Sequence, residues 1–182
     1  MSHIIGLAGS LRRHSYNAGL LRAAHALFPA EIEIATIRGI PLYDADQESA
    51  SGIPSLVESL KSSIAEADGL LLVTPEYNNS IPGVFKNAID WLTRPPPDIA
   101  KVFHGKAVAV IGASPGGFGT ILSQNAWLPV LRTLRTRHWL GGRLMISSAA
   151  KVFDDQGELI DPEARKQLES FVRGFIAFTQ AG

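Results

Sequence analysis

The chain contains no cysteine. Disulfides, thiolate nucleophiles and cysteine-ligated metals are therefore excluded, and any redox chemistry needs a bound cofactor. Neither sign of charge is in excess: 17 Lys and Arg balance 17 Asp and Glu, for a formal net charge of +0. Such a balance carries no electrostatic footprint for nucleic acid or for an acidic membrane surface. It also protects weakly against self-association, which leans toward an oligomer. No apolar run approaches the roughly 20 residues of a membrane span. Met1-Ser2-His3 opens on a short apolar run without the basic region and long apolar segment of a signal peptide, so the cytoplasm is the expected location. His3, His14, His25, His104 and His138 form no i, i+3 or i, i+4 pair, so no metal site is expected. The absence of a Gly-x-Ser-x-Gly elbow argues against a serine hydrolase.

What is present is the composition of an ordinary globular protein. Of 182 residues, 46% are hydrophobic and 19% charged, enough for one domain over residues 1–182 with a core on two faces. Apolar runs at 3–8, 70–74 and 107–111 read as buried strands. Alternation at 31–37 reads as another, and 139–146 holds a fifth. Helical spacing marks 17–28, 54–67, 84–92, 121–134 and 162–178, with Pro129 inside the fourth and Pro162 opening the last. Residues 38–52 read as a loop, and Arg94 to Asp98, with three consecutive prolines, as a surface connection. Five strands alternating with five helices specify an α/β fold: a doubly wound parallel sheet with helices on both faces and right-handed crossovers. For this length the flavodoxin-like order 2-1-3-4-5 fits better than a six-stranded dinucleotide fold. Its switch point lies between strands one and three, where ligands bind beyond the strand ends.

Three loops at that end of the sheet are rich in donors. The first, Gly9 to Asn17 (GSLRRHSYN), offers hydroxyls, two guanidinium groups and the N-terminus of the following helix. A phosphate dianion needs such converging donors, and Arg12 adds a charge-assisted contact. The competing reading is a surface turn in which Ser15 or Asn17 merely caps the helix. Neither GxxxxGK[ST] nor GxGxxG is present, which leaves out the triphosphate and dinucleotide fingerprints. The second loop, Pro75-Glu76-Tyr77-Asn78, presents backbone groups suited to the edge of a heteroaromatic ring, with Glu76 free to brace a partner loop. It reads equally as a strand-to-helix turn capped by Asn79 or Ser80. The third, Ser114 to Gly119, carries Gly116, Gly117 and Gly119, which permit close approach to a flat ligand or simply punctuate a turn. A phosphate at one loop, a ring edge at another and a glycine wall at the third together describe flavin mononucleotide (FMN).

At this point a resemblance becomes explicit. Gly9-Ser10-Leu11-Arg12 with Ser15-Tyr16-Asn17 resembles the phosphate loop of the NAD(P)H-dependent FMN reductase family. Pro75-Glu76-Tyr77-Asn78, Ser80, Pro82-Gly83 and Lys86 to Trp91 (KNAIDW) resemble its ring-edge segment, and Pro41 to Asp46 (PLYDAD) the loop after its second strand. The likeness is to the branch of bacterial quinone and chromate reductases and covers roughly residues 3 to 120. It implies that Ser10, Arg12, Ser15, Tyr16 and Asn17 hold the FMN phosphate, partly through backbone. It implies that Pro75, Glu76, Tyr77 and Asn78 hold the isoalloxazine, with Ser114 and Gly117 on the other side. The implied activity passes hydride from NAD(P)H through flavin N5 to a small-molecule acceptor: a quinone, chromate, an azo compound or free flavin. A shared stacking face implies ping-pong kinetics, and no catalytic acid or base is nominated. The family's usual state is a homodimer or homotetramer. A non-enzymatic flavodoxin-like carrier is the alternative from another class, but Arg12, Arg13 and the zero net charge count against its usual acidic character. An interaction module with an empty site is a third reading.

Overall fold

The apolar runs become the strands of one parallel sheet. β1 (Ile4–Ala8) pairs with β2 (Ile32–Ala35) on one side and β3 (Gly69–Val73) on the other, and β3 pairs with β4 (Ala107–Ala113). This computed structural model describes residues 2–181. Two short segments, β5 (Arg137–His138) and β6 (Met145–Ile146), lie along the outer edge of β4, so the strand order is 2-1-3-4-5 as expected.

Side-chain alternation divides the core in two. Ile4, Leu71, Val73 and the alanines Ala107, Ala109 and Ala113 face α1 (Tyr16–Leu27) and α7 (Pro162–Gln180). Ile5, Leu7, Leu70, Leu72, Val108 and Val110 face the helices α3 (Ser55–Glu66), α4 (Gly83–Leu92) and α6 (Ile121–Thr133). Trp91, Trp127 and Phe85 fill the second layer, Phe85 edge-on to Trp127 at 5.1 Å between centroids. Each such buried side chain contributes about 1.5–3 kcal/mol by leaving water. β3 is buried along its whole length, as a central parallel strand must be. Among the described residues no helix is long and apolar enough to cross a membrane.

Three departures from the sequence reading have physical causes. The segment read as a loop at 38–52 contains α2 (Ala45–Ser51), capped by Asp44, whose carboxylate accepts from the Asp46 N–H at 2.9 Å. No residue of α2 is buried, so it leaves no apolar period to read. It is held from outside: Arg94 Nε donates to Glu48 at 2.8 Å, and the Tyr43 hydroxyl donates to the same carboxylate at 2.9 Å. The Arg94 guanidinium keeps the Glu48 carboxyl below its ordinary range, and the bond to Glu48 raises the Tyr43 phenol. After the three prolines comes α5 (Asp98–Phe103), a six-residue helix too short to show periodicity. Finally, the fifth strand is split. Residues 139–144 leave the sheet between β5 and β6. Trp139 N–H reaches Val108 and Gly112 N–H reaches the Leu144 carbonyl, so the strand edge at Val110 has no backbone partner among the described residues. His138, on β5, is partly buried, and that burial pushes its imidazole below the ordinary value of 6.5.

Candidate functional site

The carboxyl ends of β1, β3 and β4 open into a cleft of about 410 Å³. Its lining includes nine of the residues and neighbours singled out by sequence: Ser10, Arg12, Ser15, Tyr16 and Asn17 from the first loop, Pro75, Glu76 and Tyr77 from the second, and Ser114 from the third. Asn78 and Gly117 are not part of the lining; Gly117 lies exposed with open space around it. Ala113 and Pro115 line the cleft without having been singled out. Ala113 carries no polar side chain, and β4 runs two residues past the apolar run that ended at Ile111, so no residue-type signal pointed to it.

The first loop is built around the start of α1. Ser15 is the N-cap, its Oγ accepting from Ala18 N–H at 3.3 Å. Cap and ligand site coexist, because one capping oxygen satisfies only one of the first-turn donors. The N–H groups of Tyr16 and Asn17 have no acceptor among the described residues, and the helix dipole places partial positive charge at the same point. Arg12 is exposed beside them, with its guanidinium carbon 5.0 Å from the centroid of the Tyr16 ring. That ring packs in turn on Phe153 at 5.3 Å, so Tyr16 serves Arg12 as a platform. The Asn17 side chain does something else. It is buried, donates to the Ala113 carbonyl at 2.8 Å and accepts from the Ala113 N–H at 2.9 Å. A side-chain amide thus stitches the start of α1 to the end of β4, and only the Asn17 backbone remains for a ligand.

The second loop is a tight hairpin. Tyr77 and Ser80 exchange both backbone hydrogen bonds, at 3.2 and 3.0 Å, around Asn78 and Asn79, whose φ values are 49° and 62°. Two consecutive positive φ values define a type I′ turn, and asparagine tolerates them better than any residue but glycine. Neither Asn79 nor Ser80 caps α4, whose N-cap position is Pro82. Tyr77 stands half exposed on the rim. The Glu76 carboxylate accepts from the N–H groups of Leu122 and Ser123, at 2.8 and 3.0 Å. The N-cap residue of α6, Thr120, makes no side-chain cap, so Glu76 supplies it from another loop. Beneath, the buried Thr74 and Ser123 hydroxyls meet at 2.9 Å.

In the third loop the Ser114 hydroxyl donates to the Gly119 carbonyl at 2.5 Å, closing the turn on itself. Gly112 is required by a close approach, though to protein: a Cβ there would stand 2.1 Å from the Thr74 carbonyl oxygen.

These residues fit a phosphorylated flat ligand. Free amides at a helix start, a neighbouring guanidinium and the Ser10 hydroxyl suit a dianion at one end. A rigid backbone edge suits a ring at the other, and the only carboxylate in the lining is already committed to α6. No group of three or more His, Asp or Glu that could hold a metal occurs among the described residues.

Residues 2–151 match the NADPH-dependent FMN reductase family. An NAD(P)H-dependent FMN reductase of Pseudomonas aeruginosa is 45% identical over 168 residues, covering 91% of this chain and 89% of that one. A quinone reductase of Escherichia coli is 36% identical over 185 residues, covering 97% and 95%. Among solved structures, FerB, a flavoenzyme NAD(P)H:(acceptor) oxidoreductase of Paracoccus denitrificans, superposes with a TM-score of 0.86 at 33% identity, covering 99% and 98%.

Proposed function

Because this chain belongs to the NADPH-dependent FMN reductase family and is an NAD(P)H-dependent flavin oxidoreductase, we propose that the cleft at the ends of β1, β3 and β4 is where it holds FMN and reduces a quinone. The observation that carries this reading is the unpaired first turn of α1 beside Arg12, facing across the cleft the rigid hairpin after β3. FMN held there would supply the two-electron chemistry that links NAD(P)H to the acceptor.

The chain's own residues bind and orient. Arg12, the Ser10 hydroxyl and the amides of Tyr16 and Asn17 take the phosphate. Pro75 to Asn78 present backbone groups to the ring edge, and the I′ turn keeps that edge from yielding. Ser114 bounds the opposite side, and Gly117 is a rim position there. We assign no side chain of the lining as a proton donor or acceptor in the reaction. One open face serves donor and acceptor in turn, which gives ping-pong kinetics. The acceptor class extends from quinones to chromate, azo compounds and free flavin, and the reaction runs in the cytoplasm. Phe118, 86% exposed, follows the carboxyl end of β4, and Leu140, 75% exposed, follows β5; such exposed apolar side chains suit the buried face of a homodimer or homotetramer.

The test is the purified protein's colour and turnover. It is expected to be yellow and to oxidise NADPH steadily with a quinone, with parallel initial-rate lines when both substrates are varied. Intersecting lines would remove the ping-pong scheme, and a colourless protein that gains no activity with added FMN would remove the site.

A further inference from the structure

Behind the phosphate loop lies a second cleft, of about 370 Å³, between that loop and the residues that follow β2. Four arginines line it, Arg12, Arg13, Arg22 and Arg38, and no carboxylate does. Arg22 is engaged with Glu158. Arg13 and Arg38 form no ion pair with any described residue. Arg38 is oriented by its Nη2, which donates to the Leu11 carbonyl of the phosphate loop, and its remaining donors are left open. Ala8, Leu21 and Ile34 add apolar surface to the lining.

In a chain of zero net charge, several guanidinium groups converging on one cavity without an acid repel one another. A bound anion relieves this, and the planar guanidinium fork matches phosphate oxygens. The first cleft already accounts for one phosphate, and Arg12 and Ser10 stand in the wall common to both clefts. The shared wall lets one extended ligand reach both clefts, with a second phosphate in the arginine-lined one. The reducing dinucleotide is such a ligand, and NADPH differs from NADH by the phosphate on its adenosine ribose. In doubly wound sheets that carry the dinucleotide fingerprint, which this chain lacks, an arginine beyond the second strand accommodates that 2′-phosphate and an acidic residue there selects the free 2′-hydroxyl; the preference of guanidinium for phosphate over hydroxyl is the part that transfers. Here β2 ends at Ala35, Arg38 follows, and Thr36 to Ile40 contain no acidic residue.

We propose that this cleft receives the 2′-phosphate of NADPH, held by Arg13 and Arg38, and so makes NADPH the preferred donor. The proposal rests on the reading that the neighbouring cleft is the flavin site.

The test compares the FMN-loaded wild type with Arg38→Ala and with the Arg13→Ala/Arg38→Ala double variant. Steady-state kcat/KM is measured for NADPH and NADH with one quinone. Calorimetry measures binding of adenosine 2′,5′-bisphosphate and of adenosine 5′-monophosphate. Two charge-assisted contacts predict that the NADPH-to-NADH ratio exceeds one in the wild type and falls about 10- to 100-fold in the double variant, through the KM for NADPH. Bisphosphate binding should weaken by a similar factor and monophosphate binding should hold, with rates expressed per bound FMN so that any loosening of the phosphate loop is counted separately. An unchanged ratio with unchanged bisphosphate binding would overturn the proposal and leave the flavin site standing. A wild type that prefers NADH also overturns it. Failure of the wild type to oxidise either nucleotide sinks the reading beneath as well.

Discussion

Arg12 and Tyr77 sit on opposite walls of one cleft, yet their expected contributions differ in kind. On the proposed reading Arg12 meets a charged phosphate, so Arg12→Ala should weaken FMN binding by about 1.5–3 kcal/mol, or roughly 10- to 150-fold, in a fluorescence titration. Tyr77 is proposed to contribute only backbone to the ring edge, so Tyr77→Phe should retain the flavin; equal losses in the two variants would undo the assignment of the two loops. Asn17 is the residue whose side chain the sequence did not disclose. Its position in GSLRRHSYN suggested a cap or a phosphate ligand, but its partner, Ala113, lies 96 positions away and no local pattern encodes that pairing. Asn17→Ala should strand a buried N–H and a buried C=O together, costing roughly 2–4 kcal/mol of stability in denaturant unfolding. By contrast the place of Ser10, Arg12 and Ser15 in the cleft wall was legible, because residues adjacent in sequence at a strand-to-helix turn stay together at the strand end.

Helix α6 shows how one element borrows what its own sequence lacks. With no side-chain cap at Thr120, its first turn relies on Glu76 from the hairpin after β3. Glu76→Ala should therefore lower the denaturant midpoint by the equivalent of about 1 kcal/mol and loosen the ring-edge loop enough to reduce flavin affinity. Glu76→Gln keeps an acceptor and should recover part of both losses; a variant as stable and as flavin-avid as wild type would show that the brace is incidental. The helices α1, α3, α4, α6 and α7 were legible to within a few residues because each buries an apolar stripe. The two short ones were not: α2 buries nothing, and α5 is hidden behind three prolines. What holds α2 is the Tyr43, Glu48 and Arg94 cluster, whose members lie up to 51 positions apart.

For the molecule as a whole, the sheet order was legible because buried parallel strands read as uninterrupted apolar runs, and the position of the cleft followed from the switch point. The split of the fifth strand was not, since residues 139–146 keep an apolar tone while half of them leave the ladder. His138 on that strand ties stability to pH. Burial depresses its folded pKa below 6.5, so above 6.5 the imidazole is neutral in both states and imposes no penalty. As pH falls from 6.5 toward the folded value, the unfolded chain takes a proton that the folded chain resists, and stability declines until the folded pKa is passed. The melting temperature should therefore drop on going from pH 7.5 to 5.5, and His138→Gln should shrink the drop; an identical drop in the variant would assign it to other groups. The same split leaves a mark that isotopes can read. Alternate residues of β4 point their amides to opposite neighbours, and the Val110 amide faces the interval that β5 and β6 leave open. In deuterated water that single proton should be replaced well ahead of those of Ala109 and Ile111, which are bound to β3. The central sheet then has one early-exchanging position within an otherwise protected strand.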